Sequence, residues 1–137
     1  MSDSLVLRPL TEEDYEVICN WWTKWEWPIL PKELLPQDGL GGFMVEKNKK
    51  PIVAGFVYLT NSKGAWFDYI VSDPDYREDD RSQAVELLIR GAEQFCIDLG
   101  IKAILHIGRN KGLMDKFNKL GWGIDKTPSY EMMKRIQ

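Results

Sequence analysis

The sequence predicts an α/β sandwich built on a mixed β-sheet, and three observations carry that prediction. Strand-like and helix-like segments alternate along the whole chain. Two strand-like runs, Phe43 to Glu46 and Ile52 to Leu59, are separated only by a turn-prone stretch and read as an antiparallel hairpin. A third run, Ala65 to Val71, leads through a long amphipathic helix into another strand, an order that lays those two strands side by side and parallel. With 137 residues, 44% hydrophobic and 28% charged, residues 1–137 are expected to form a single domain around one core.

Leu5, Leu7 and Leu10 mark a short first strand. Thr11, with Asp14 three residues later, opens a helix whose apolar residues Ile18, Trp21, Trp22 and Trp25 recur at helical spacing. Pro28 ends it, and the prolines and glycines from Pro28 to Gly42 break regular structure. After the hairpin, TNSKG turns the chain into Ala65 to Val71. A helix from about Arg81 to Leu99 carries Ala84, Leu88, Ala92, Phe95 and Leu99 on one stripe and stops at Gly100. Lys102 to Ile107 reads as a strand, Leu113 to Leu120 as a short helix, and a final strand holds Tyr130, Met132 and Met133.

Several function classes fit poorly. A net charge of −3 argues against nucleic-acid binding, which depends on neutralising phosphates, and Lys47, Lys49 and Lys50 read as a solvated hairpin. Cys19, Cys96 and the lone His106 suggest neither a disulfide framework nor a zinc site. No apolar run reaches the roughly 20 residues that cross a bilayer, and MSDSLVLRPL lacks the features of a signal peptide, so a cytoplasmic protein is expected.

The stretch from Ile70 to Gln83, IVSDPDYREDDRSQ, resembles the cofactor-binding segment of the GCN5-related N-acetyltransferases. Pro74, Tyr76 and Arg77 match that family's pattern, whereas Asp80 and Ser82 stand where it has small residues. LRPLTEEDYEVI, VAGFVYL and NKGLMDKFNKLGW resemble its first strand and helix, its third strand and its late Asn-to-aromatic segment, so the likeness covers nearly the whole chain. The resemblance implies a three-layer sandwich whose sheet splays centrally, with a splay or bulge near Ile70 to Ser72. It implies acetyl-CoA as cosubstrate, no metal, and acetyl transfer to a small-molecule or peptide amine. It also allows a homodimer or a protein partner. The cofactor-binding residues it implies are Ile70, Val71, Ser72, Arg77, Glu78, Asp79, Asp80, Arg81, Ser82, Asn110 and Phe117.

The residues themselves support two readings of the loop. Amides at a helix start favour an anion, Arg77 and Arg81 add charge, and Ser82 adds a hydroxyl donor. Against this, Asp80 with Gln83 has the spacing of a capping box, and a self-capped helix would occupy those donors. Phe117 stands where the family often has a proton-donating Tyr; it excludes general-acid catalysis by that side chain and also suits the core face of a helix. Asp68 is the strand carboxylate best suited to take a proton from an amine, or else a solvated residue on the alternate face; Tyr69 orients water or substrate, or packs. Trp21, Trp22 and Trp25 line an acceptor pocket or close the core, with Trp27 turned away by Pro28. Cys96 and His106 read as structural. The principal alternative to an enzyme is a catalytically inactive acetyltransferase-like module used for protein interaction.

Overall fold

The structure, a computed structural model, describes residues 4–137. It divides after Ile107 into two compact units, and the first holds the whole sheet. In that unit β1 (Leu5–Pro9) leads to α1 (Asp14–Lys24), two 3-10 turns (Lys32–Leu34 and Pro36–Gly39), β2 (Gly42–Lys47), β3 (Lys50–Leu59), β4 (Gly64–Ser72), α2 (Arg81–Asp98) and β5 (Ala103–Leu105). The sheet order is β1-β2-β3-β4-β5. The first three pairings are antiparallel, and β4 with β5 is parallel, as the strand–helix–strand order requires.

The β2–β3 hairpin turns through Asn48 and Lys49, both left-handed at φ 52° and 65°, which gives a two-residue turn matched to the sheet's twist. β3 is buried on both faces because helices cover both. Met44, Ala54, Phe56 and Val71 pack with Ile18, Trp21 and Trp22 of α1. On the other face Phe43 meets Phe95 of α2 edge-on, with ring centroids 5.4 Å apart. The three layers are therefore helix, sheet, helix.

Local signals place the helix ends. After α2, Gly100 is left-handed at φ 77°; its N–H donates to Ile97 and that of Ile101 to Cys96, a Schellman stop. The same pattern ends α1, but Glu26 rather than glycine takes the left-handed position, at φ 61°. It folds Trp27 back so that its N–H donates to the Trp22 carbonyl, and its ring stacks on Trp25 at 5.4 Å. The expectation that Pro28 turns Trp27 away is corrected by this reversal. Leu99 also leaves the predicted stripe: it caps the helix and is half exposed, while Ile89 and Cys96 complete the buried face.

The second unit contains α3 (Lys111–Lys119). The final strand expected around Tyr130 is not formed. Tyr130, Met132 and Met133 are 87–91% exposed and belong to no element, because an apolar alternating segment becomes a strand only where another strand completes its backbone pairing.

Candidate functional site

The carboxyl end of β4 is the irregular part of the sheet. Opposite β3, Ala54 faces Val71 and Phe56 faces Asp68, so one extra residue is accommodated on β4 between them. This bulge is carried by Tyr69, left-handed at φ 55° despite its side chain, a conformation that persists only when the surroundings impose it. Gly55 lies opposite. A Cβ there would sit 2.6 Å from the Phe67 ring and 3.2 Å from Ile70, so only glycine lets the bulge close onto β3.

On the other edge the parallel ladder runs from Gly64 and Ala103 to Trp66 and Leu105 and then ends, while β4 continues to Ser72. Side chains take over from the ladder. Ile107 N–H donates to Asp68 Oδ1 at 3.1 Å, and His106 Nδ1 lies 2.7 Å from the Phe67 carbonyl and 3.2 Å from the Asp68 carboxylate. Asp68, singled out as a base, thus stands where β5 leaves β4 and ties the two together. His106 shares that task, and Cys96 is buried in α2, its thiol pushed up by burial.

Between β4 and α2 the loop is held by groups from other elements. Lys24 of α1 pairs with Asp75 at 2.7 Å, and the Trp25 indole N–H donates to the Ser72 carbonyl at 2.8 Å. Arg81 reaches the Ser72 hydroxyl at 3.2 Å. Arg77, Glu78, Asp79 and Ser82 are exposed on the loop and the first turn of α2. Asp80 occupies the N-cap of α2, yet its side chain makes no capping bond. Lys47 Nζ takes one carboxylate oxygen at 2.8 Å, and the Tyr76 hydroxyl donates to the other at 2.6 Å. Those two partners hold the Asp80 carboxyl below its usual range, while burial and then the bond to Asp80 push the Tyr76 phenol up to about 12.

Two expectations change here. Asp80 does not self-cap α2, because a lysine and a tyrosine bind its carboxylate first. Lys47 does not belong to a solvated hairpin with Lys49 and Lys50, because its side chain is only 28% exposed and ion-paired.

Of the tryptophans, Trp21 and Trp22 are core residues, buried under α1. Trp25 is half-buried beside the same core, and Trp27 is exposed. Tyr58 was not legible as a site residue. Its ring meets Tyr69 edge-on at 6.0 Å, its hydroxyl donates to the Leu34 carbonyl at 2.9 Å, and burial followed by the charges of Tyr69 and Asp68 raises its pKa. The alternation of β3 puts Tyr58 on the face of Phe56, which was the available signal. Lys24 and Lys47 had none, since their partners lie 51 and 33 residues away. A cavity of about 220 Å³ lined by Thr11, Tyr15, Lys32 and Gly39 among others includes none of the predicted site residues.

In the second unit Asn110 caps α3, its side-chain oxygen accepting the Leu113 N–H at 3.0 Å. Phe117 is buried and meets Trp122 edge-on at 4.5 Å. Among the described residues no group of three or more metal-ligating side chains occurs, and no helix is long and apolar enough to cross a membrane.

No family model matches the sequence, and no curated protein matches it. Solved structures do match the fold. The ribosomal-protein-S18-alanine N-acetyltransferase of Escherichia coli superposes with a TM-score of 0.69 at 15% identity, over 86% of this chain and 77% of that one. The aminoglycoside N-acetyltransferase AAC(6')-Iy in complex with CoA gives 0.66 at 15% identity, over 98% of both chains. A GCN5-related N-acetyltransferase of Ralstonia eutropha JMP134 gives 0.61 at 21% identity, over 97% of this chain and 99% of that one.

Proposed function

We propose, from the premise that this chain has the fold of the GCN5-related N-acetyltransferases, that it moves an acetyl group from acetyl-CoA to a primary amine. The observation that carries the reading is the state of Asp80: the residue that could cap α2 is bound elsewhere, so its carboxylate does not compete with an anion at the helix start beside Arg77 and Arg81. The cosubstrate diphosphate would lie against residues 78–82, and its acetylated arm would follow the β4 edge of Ile70, Val71 and Ser72 where the β5 ladder has ended. A structural neighbour that holds CoA supports the choice of cosubstrate. The whole chain would serve as one functional domain in the cytoplasm, where acetyl-CoA is present.

In the reaction a neutral amine nitrogen attacks the thioester carbonyl carbon, the carbon–sulfur bond breaks, and the nitrogen loses a proton as the thiolate gains one. Asp68 and Tyr69, at the splay and the bulge, would receive or relay the amine proton. Phe117 has no proton to give, so the thiolate takes its proton from water. Trp25 supplies an aromatic face for the acceptor, in place of the buried Trp21 and Trp22.

Calorimetric titration with acetyl-CoA tests the reading without knowledge of the acceptor. Saturable binding that weakens about tenfold in Arg77→Ala is expected; no heat at millimolar acetyl-CoA overturns the reading. The second reading, an inactive interaction module, is favoured by Phe117 and by the uncompensated acids Glu78 and Asp79 at the loop tip. It predicts a stable protein partner and no acetylation of any amine.

A further inference from the structure

We infer that Lys47 of β2 is a positioning residue for the diphosphate seat: it holds the Asp80 carboxylate off the first turn of α2. The inference rests on the acetyl-CoA reading above. Aspartate is among the strongest N-cap residues, and at that position its carboxylate ordinarily accepts the N–H of the second or third helical residue, here Ser82 or Gln83. Asp80 sits at the N-cap with no such bond, and both of its oxygens are engaged by Lys47 and Tyr76. The anchors themselves are well placed. Tyr76 is 5% exposed, so its hydroxyl has a fixed direction, and Lys47 is set by the Lys47–Lys50 pair that closes the hairpin.

The charge around the loop calls for such a device. From Asp73 to Arg81 the chain has five acids and two arginines. Left alone, that segment repels a diphosphate. Lys24 neutralises Asp75 from α1, Lys47 neutralises Asp80 from β2, and the Lys50 ammonium lies 5.9 Å from the centre of the Tyr76 ring. Of these lysines, Lys47 is the one joined to the residue at the helix N-cap. Its loss acts twice in the same direction: the Asp80 charge is no longer compensated beside the ligand, and the oxygen that Lys47 held is freed to accept a first-turn amide while Tyr76 keeps the other.

The test is a double-mutant cycle on the full chain, Lys47→Met, Asp80→Ala and both, with Lys47→Arg as the conservative control. Two quantities are read: acetyl-CoA affinity by calorimetry, and hydrogen exchange of the Gln83 amide by NMR without ligand. Lys47→Met is expected to weaken binding about five- to tenfold and to slow Gln83 exchange about fivefold, the scale of one acquired cap. Lys47→Arg keeps both near the native values. In the Asp80→Ala background, Lys47→Met changes Gln83 exchange by less than about twofold, since no carboxylate remains to be released. Equal weakening of binding by Lys47→Met in both backgrounds overturns the inference, because Lys47 would then act on the ligand directly. Unchanged Gln83 exchange in Lys47→Met overturns it as well. If the native protein binds no acetyl-CoA, the functional reading falls, and Gln83 exchange still decides whether Lys47 holds Asp80.

Discussion

The aspartates that open α1 and α2 meet the same kind of partner and serve opposite ends. Asp14 is 3% exposed; Arg8 of β1 grips both of its oxygens at 2.7 and 2.9 Å, and the Thr11 N–H donates to it at 2.7 Å. Asp80 is held by a cation of β2, but its side chain is 25% exposed and turns away from the helix it could cap. Burial separates the two. A buried carboxylate without its cation is costly, so Asp14 belongs to the framework. A carboxylate near water can be held in a noncapping arrangement at little cost, so Asp80 is left off the helix it opens.

The sharpest way to break this comparison is to remove each cation. Arg8→Met is expected to cost about 2–3 kcal/mol in urea unfolding, somewhat below the range for a fully buried pair because Arg8 itself reaches water. Lys47→Met should leave the unfolding free energy close to native, because the partly exposed ion pair it removes is offset by the cap that Asp80 then makes. Similar losses in the two variants would show that exposure does not distinguish the sites.

A pH series sharpens it next. Burial alone would raise the Asp14 carboxyl, but the Arg8 guanidinium and the Thr11 donors more than offset that and hold it below the ordinary carboxylate range. In the unfolded chain it titrates near about 3.9. Its contribution to stability is therefore complete above that value and disappears as pH falls through the lower folded value. Unfolding free energy measured from about pH 6 down to about pH 2.5 should decline, with a shallower decline in Asp14→Asn. An unaltered slope in that variant would assign the acid limb to other carboxylates.

The smallest effect belongs to α3, whose cap is used in the ordinary way. Asn110→Ala should destabilise that helix by about 1 kcal/mol, seen as faster amide exchange at Leu113. No change at Leu113 would mean that a formed cap is worth as little here as the unformed one at α2.

How much of this was legible in the sequence depends on distance along the chain. The hairpin, the Gly100 stop and the parallel return of β5 were legible because turn chemistry and period report on residues a few positions apart. The irregularity at the end of β4 was expected from the resemblance, but its placement at Tyr69 was not. That placement depends on Gly55 opposite, where a side chain would strike Phe67. Trp27 was misread because Pro28 was visible and the left-handed Glu26 before it was not; glycine is the usual signal for such a reversal.

By itself the sequence determined the order and kind of the strands and α-helices from β1 to α3, the apolar faces of α1 and α2, and the acidic loop between Pro74 and Arg81, since these follow from composition, spacing and local backbone preference. The tertiary structure decided which charge meets which. Asp80 looked like a cap because its nearest neighbours in sequence are helix amides, and it became the partner of Lys47 because β2 brings a cation from 33 residues away within 2.8 Å. The Tyr130 to Met133 segment, strand-like in its residues, was decided in the same way, because a strand exists only where another chain segment completes its hydrogen bonds.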